Sequence, residues 1–162
     1  MIVTATHADI PDIQDIAEKT WWPTYLPIVG EVQLRFMLDT IYSTAALKTI
    51  MRPGGQEFIL IKSENKTEGF AAFSPRPEDA TIYKLQKLYV LPGNHGKGSG
   101  RQLLQEVIRR TAAKGIKQID LNVNRQNPAV KFYEKAGFKI VREEDVAIGP
   151  YWMNDYVMTL FV

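Results

Sequence analysis

A mixed α/β fold is the class this sequence predicts: a largely antiparallel central sheet flanked by helices, in a single domain over residues 1–162. Three observations predict it. Short apolar stretches separated by turn residues recur along the chain, as strands do. Amphipathic helical patterns stand between some of them and imply one or two crossover connections. No internal repeat, low-complexity tract or long linker divides the chain.

Ile2–Ala5 reads as a first strand. Asp9 is placed to cap the following helix, with Pro11 in its first turn. Ile10, Ile13, Ile16 and Ala17 then recur at helical spacing. Trp21–Gly30 holds two tryptophans, a tyrosine and two prolines, and reads as a loop or broken helix with a large aromatic surface. Gly30–Tyr42 looks helical, and Ser43 caps a short helix over Ala45–Met51. Past the break at Pro53-Gly54-Gly55, Phe58–Ile61 and Gly69–Phe73 form a hairpin around a polar turn. Ser74–Asp79 is a loop and Thr81–Val90 a longer strand. Pro92–Gly100 is a glycine-rich turn, and Arg101–Lys114 an amphipathic helix ended by Gly115. Ile119, Leu121 and Val123 alternate as a strand. Pro128–Lys135 is a short helix stopped near Gly137. Two last strands lie around Phe138–Arg142 and Tyr156–Phe161, with a turn near Gly149-Pro150.

Composition narrows the chemistry. At 45% hydrophobic residues, the chain can bury a core. Its 20 basic and 18 acidic side chains leave a net charge of +2, with no electrostatic footprint for nucleic acid. Cysteine is absent, which removes disulfides, thiolate metal sites and a thiol nucleophile. His7 and His95 lack metal-ligand spacing, so no metal is expected. The N-terminus lacks signal-peptide form and no apolar run reaches membrane-span length, so the expectation is a cytoplasmic protein without a membrane partner. A homodimer stays compatible with all of this.

The turn Asn94-His95-Gly96-Lys97-Gly98-Ser99-Gly100-Arg101 joins a strand to a helix. Glycines let backbone N–H groups converge, and the helix N-terminus adds unpaired N–H groups and a positive dipole end. Lys97 and Arg101 add charge. This suits a phosphate or pyrophosphate. It is neither a P-loop, since no lysine lies between Gly98 and Ser99, nor a dinucleotide fingerprint, whose third glycine would fall on Arg101. Taken alone, it also fits an ordinary glycine-rich turn with solvated basic residues.

Two flanking segments add to it. Leu85-Gln86-Lys87-Leu88-Tyr89-Val90-Leu91-Pro92 runs into the turn, and Leu121-Asn122-Val123-Asn124-Arg125-Gln126-Asn127-Pro128-Ala129-Val130-Lys131-Phe132-Tyr133-Glu134-Lys135-Ala136-Gly137-Phe138 follows later. In this order and spacing, the sequence resembles the GCN5-related N-acetyltransferase (GNAT) family. The specific match spans Leu85–Phe138. The resemblance implies a GNAT-like acyl-CoA N-acyltransferase fold and an enzyme that passes the acetyl group of acetyl-CoA to an amine. Leu88 and Val90 would then offer backbone groups to the pantetheine arm. His95, Gly96, Lys97, Gly98, Ser99, Gly100 and Arg101 would hold the pyrophosphate, with His95 standing where the family has Gln or Arg. Asn127 would bond the pantetheine, with Gln126 and Asn124 as alternatives. Tyr133 would lie near the sulfur and serve as the acid. The plainer readings are a core tyrosine for Tyr133 and a helix cap for Asn127.

The family frequently has a glutamate base on the central strand; Gln86 stands there and cannot act as one. Glu31 and Asp155 are the remaining carboxylate candidates, and a water-mediated proton route is expected. With no thiol to carry an acetyl group, transfer is expected to be direct. Trp21, Trp22 and Tyr25 are candidates to wall the acceptor pocket, with Tyr151, Trp152 and Asp155 to close it from the C-terminal hairpin. Taken singly, each aromatic reads more simply as packing the helix onto the sheet. An aromatic wall suits a cationic or apolar amine. The layout resembles the family's small-molecule transferases, polyamine acetyltransferases among them. A small-molecule primary amine is the expectation, with no strong acidic cluster to demand a polyamine. A protein lysine or N-terminal amine, or acyl-CoA sensing without catalysis, are the alternatives.

Overall fold

In the computed structural model, which describes residues 1–162, the sheet has seven strands. They are β1 (Ile2–Thr4), β2 (Glu57–Ser63), β3 (Lys66–Pro75), β4 (Ile82–Val90), β5 (Gln118–Asn124), β6 (Lys139–Ile148) and β7 (Tyr151–Phe161). Their spatial order is β1-β2-β3-β4-β5-β7-β6. Only β4 and β5 run parallel; every other pair is antiparallel. The helices are α1 (Ile10–Ile41), α2 (Thr44–Ile50), α3 (Ser99–Ala113) and α4 (Ala129–Lys135). Helix α3 supplies the crossover that a parallel neighbour requires.

The sheet separates two cores. On one face Ile13, Leu34 and Met37 of α1 and Leu47 of α2 pack on Phe58, Leu60 and Phe70. On the other, Leu103 and Val107 of α3 and Tyr133 of α4 pack on Ile119, Leu121 and Met158. The expected N-terminal spacing holds: Ile10, Ile13, Ile16 and Ala17 are all buried. Ser43 caps α2, its hydroxyl accepting from the Ala46 N–H at 3.1 Å.

Several boundaries differ from expectation. Asp9 does not cap α1 with its side chain. Its carboxylate turns back to accept from the Thr6 N–H at 2.8 Å. Of the two readings of Trp21–Gly30, the broken helix holds and the loop does not: α1 continues through Pro23 and Pro27 and breaks at Gly30, whose φ of 79° and ψ of 169° lie outside helical space. Each interior proline costs a helix about 3 kcal/mol. Trp21, Tyr25, Leu34, Met37 and Leu38 are buried from this same helix, and full burial of a large apolar side chain returns about 1.5–3 kcal/mol. Tertiary burial therefore outweighs local propensity. The last two strands are also far longer than their apolar stretches suggest. β6 is an edge strand with most side chains exposed, so backbone pairing to β7 defines it.

Candidate active site

The site starts from a fault in the sheet. In the β3–β4 ladder Ala72 pairs with Lys87 and Phe73 with Leu85, leaving Gln86 as the extra residue of a β-bulge. A bulge bends its strand and raises the local twist. Pairing between β4 and β5 stops at Leu85 and Leu121, although β4 runs on to Val90 and β5 to Asn124. A wedge opens between the two parallel strands.

Ladder phase decides which backbone groups line the wedge. In an antiparallel pair, hydrogen-bonded and non-bonded residue pairs alternate. The Leu91 N–H donates to the Glu68 carbonyl at 2.8 Å. Lys87 and Tyr89 therefore take the bonded positions toward β3, while Leu88 and Val90, opposite Ala71 and Gly69, turn their N–H and C=O toward the wedge. One of these groups is already taken. The His95 ring folds back, and its Nε2–H donates to the Val90 carbonyl at 2.7 Å. The ring of His95 thus braces the turn, and its own N–H donates to the Pro92 carbonyl at 3.3 Å, so neither group is free for the expected phosphate cradle.

The turn itself is rich in free donors. The N–H groups of Gly96, Gly98, Ser99, Gly100 and Arg101 have no backbone partner, and helical bonding begins with the Gln102 N–H donating to the Gly98 carbonyl at 2.9 Å. Gly96 and Gly98 have φ of 83° and 81°. Lys97 and Arg101 are exposed, and neither makes an ion pair. The Ser99 hydroxyl points inward toward Glu68 Oε2 at 3.4 Å, so Ser99 offers its N–H alone.

Of the three amide candidates, Asn127 faces the wedge. It is buried; its Oδ1 accepts from the Ala129 N–H at 2.9 Å, and its Nδ2 donates to the Tyr25 hydroxyl at 3.2 Å. It caps α4 and braces the aromatic wall together. Asn124 donates to Met153 Sδ at 3.7 Å, and Gln126 is exposed. Tyr25 also lies 3.5 Å from the Tyr89 hydroxyl, and Trp21 stacks 4.6 Å from the Tyr25 ring. Tyr133 is 8% exposed, packed edge-on against Phe132 and Phe138. Its hydroxyl makes no hydrogen bond within the protein. Burial, with the nearby Tyr25 phenol adding to it, raises the Tyr133 pKa above the ordinary phenol value.

The aromatic wall differs from the expected one. Trp21 and Tyr25 meet Tyr89 of β4, but Trp22 turns away: its Nε1–H donates to Glu18 at 2.9 Å and the Arg35 guanidinium sits 5.2 Å over its ring. Trp152 is 59% exposed, while its neighbour Tyr151 packs 5.3 Å from Phe36 of α1. Neither Trp22 nor Trp152 is brought to Tyr25. Glu31 is exposed. Two open depressions, of about 410 and 330 Å³, include none of the expected site residues.

The side of β5 toward α1 carries Asp120, Asn122 and Asn124, alternating with the buried Ile119, Leu121 and Val123. Asn122 Nδ2 donates to Glu144 Oε1 at 3.0 Å and to Asp155 Oδ2 at 3.3 Å. Lys84 of β4 faces the same carboxylates, and burial and then Arg76 lower its pKa. Tyr89, Asn122 and Glu144 were not singled out by sequence reasoning. The polar alternation in Gln118–Asn124 was the available signal, because a polar stripe on a central strand needs a partner.

Comparison with known proteins agrees with this geometry. A family model described as an acetyltransferase (GNAT) domain matches residues 26–159. An uncharacterized N-acetyltransferase of Mycobacterium tuberculosis is 29% identical, over 93% of this chain and 96% of the relative. A spermidine N(1)-acetyltransferase of Thermoplasma acidophilum is 29% identical, over 82% of this chain and 83% of the relative. The crystal structure of PaiA N-acetyltransferase from Thermoplasma acidophilum in complex with coenzyme A superposes with a TM-score of 0.85 at 26% identity. That match covers 100% of this chain and 98% of the other.

Proposed function

The chain belongs to the GNAT acetyltransferase family, and from that premise we propose that it moves the acetyl group of acetyl-CoA directly to the primary amine of a small molecule, with polyamines the first class to test. The observation that carries this reading is the wedge, with Leu88 and Val90 backbone groups turned into it and the free N–H groups of the glycine turn at its mouth. These groups fit acetyl-CoA. Unpaired N–H groups at Gly96, Gly98, Ser99, Gly100 and Arg101, with Lys97 and Arg101 beside them, would hold the pyrophosphate. Leu88 and the Val90 N–H would pair with the pantetheine amides as an added strand does.

The cofactor supplies an activated thioester. Helices α3 and α4 lie on one face of the sheet and α1 on the other. The pantetheine therefore comes from the α3 face and the amine from the α1 face. The Leu88 N–H would polarise the acetyl carbonyl, leaving the Leu88 C=O and the Val90 N–H to the pantetheine. Tyr133, on the α3 face, donates to the departing sulfur. Tyr25 and Tyr89, on the α1 face, wall the amine. The spermidine acetyltransferase relative supports the polyamine class.

An amine panel with acetyl-CoA, read by free thiol release, tests the reading. Turnover of small primary amines is expected. CoA at a hundredfold its Kd should stabilise the protein by about 2.7 kcal/mol. Transfer only to protein amines would move the enzyme to the protein-modifying class. CoA binding without any transfer would make it a sensor, and no binding at millimolar CoA would overturn the reading.

The wall gives a second test. Tyr25→Phe removes the hydroxyl that Asn127 bonds, so it should raise the acceptor KM several-fold more than that of acetyl-CoA. Trp22→Ala should leave both KM values near wild type and cost stability, since Trp22 packs with Glu18 and Arg35. The opposite ranking would place the acceptor on the Trp22 side of α1.

A further inference from the structure

Resting on the acetyl-transfer reading, we infer that Asp155 takes the proton of the acceptor amine, directly or through one water, and that Asn122 and Glu144 hold it for that task. Asp155 pairs in register with Asn124, in the part of β5 that has diverged from β4. It lies two residues from Met153, which packs in the α1-side core, so its side chain stands on the face from which the amine comes. Tyr133 stands on the opposite face. The acid and the base thus flank the wedge from its two sides.

The hydrogen bonding around Asp155 is incomplete in one direction. Carboxylates only accept, so both contacts of Asn122 must be made by its Nδ2. Its Oδ1 is then buried without a donor. Asp155 accepts at Oδ2, and its Oδ1 makes no hydrogen bond. Asn122 Oδ1 and Asp155 Oδ1 therefore both lack donors. An amine N–H, or a water relaying it, supplies what is missing. Glu144 is the direct cross-strand neighbour of Asp155. Like charges so placed repel, and Asn122 bridges them.

The charged surroundings agree. Asp155 is 7% exposed, and its pKa is pushed up to about 6. Burial is the main cause and the Glu144 charge adds to it; the Asn122 hydrogen bond, Lys84 and Arg125 oppose it. Tyr25 faces it from α1. A base works best with a pKa near the operating pH. The step balances for the neutral amine, the ammonium form having first lost one proton to solvent: the amine nitrogen bonds the acetyl carbon, the C–S bond breaks with its electron pair on sulfur, and the remaining nitrogen proton goes to Asp155.

The test measures kcat against pH at saturating amine, using spermidine and an alanine-initiated tripeptide in parallel. Saturation removes the titration of free amine from the profile. Wild type should lose activity below about pH 6. Asp155→Asn should lower kcat about a hundredfold, the low end for a general base because water partly substitutes. Its CoA affinity by calorimetry should not change. Glu144→Gln should move the acidic limb to lower pH, an effect that a purely structural role would not produce. Asp155→Asn activity within threefold of wild type, with CoA bound normally, would overturn the assignment. If wild type acetylates neither amine, carbon-13 titration of the Asp155 carboxyl decides. A midpoint near 6 that falls in Glu144→Gln supports the assignment; an ordinary value near 3.9 overturns it.

Discussion

Gly98→Glu and Gly100→Glu should each abolish detectable CoA binding by calorimetry while the protein stays folded. Both positions lie among the free N–H groups of the glycine turn. A carboxylate about 4 Å from a phosphate charge costs about 4 kcal/mol at an effective dielectric of about 20, roughly a thousandfold in affinity. The two variants separate charge from backbone strain. Gly98 has a φ of 81°, so any side chain there is strained whatever the space. A Cβ on Gly100 would meet the Phe132 ring at 3.6 Å and Leu88 at 3.8 Å, which are ordinary contacts. Gly100→Glu should therefore keep a melting temperature closer to wild type than Gly98→Glu. Gly98→Ala, which carries the strain without the charge, should bind CoA better than Gly98→Glu. If both glutamate variants bind CoA within tenfold of wild type, the pyrophosphate lies elsewhere.

Tyr133→Phe should lower kcat by about 10²–10³-fold, the usual contribution of one hydrogen-bond donor aimed at charge that develops in the transition state. It should leave the CoA Kd and the melting temperature nearly unchanged. The raised pKa of the buried phenol keeps it protonated throughout the neutral range. A thiol like that of CoA has a pKa near 8.5, against about 10 for an ordinary phenol, so complete proton transfer to the sulfur is uphill. On the proposed reading Tyr133 would act chiefly by donating a hydrogen bond to the departing thiolate, with solvent completing the protonation. Its hydroxyl has no partner within the protein, so removing it orphans nothing, and a small stability change is the specific expectation. A kcat within threefold of wild type would make Tyr133 a packing residue.

The glycine turn proposed to hold the cofactor was legible in the sequence because its geometry is local. Positive φ at Gly96 and Gly98, a helix beginning at Ser99 and the strand just before it all lie within one short stretch. Backbone donors left unpaired at a helix start follow from the geometry of any helix. Asn127 and Tyr133 were singled out by the family resemblance; read locally they are a helix cap and a core tyrosine, and the cap is what the turn before α4 shows.

The acceptor half was not legible in this way. Neighbouring helix positions point about 100° apart, so Trp21 and Trp22 present different sides; which of them was buried against the sheet depended on how α1 docked. Gly30 breaks the helical phase of α1, and no single apolar period runs along its length. The persistence of the helix through Pro23 and Pro27 depended on burial against β-strands distant in sequence.

The sequence by itself determined the alternation of strands, the glycine turn, the helix behind it and the kinds of side chain available, because each depends on neighbours a few residues away. Only the tertiary structure decided that Gln86 bulges, that Leu88 and Val90 face an opening, and that Glu144, Asn122 and Asp155 meet across three strands. Those outcomes depend on strand register, and a shift of one residue turns every side chain of a strand to the opposite face.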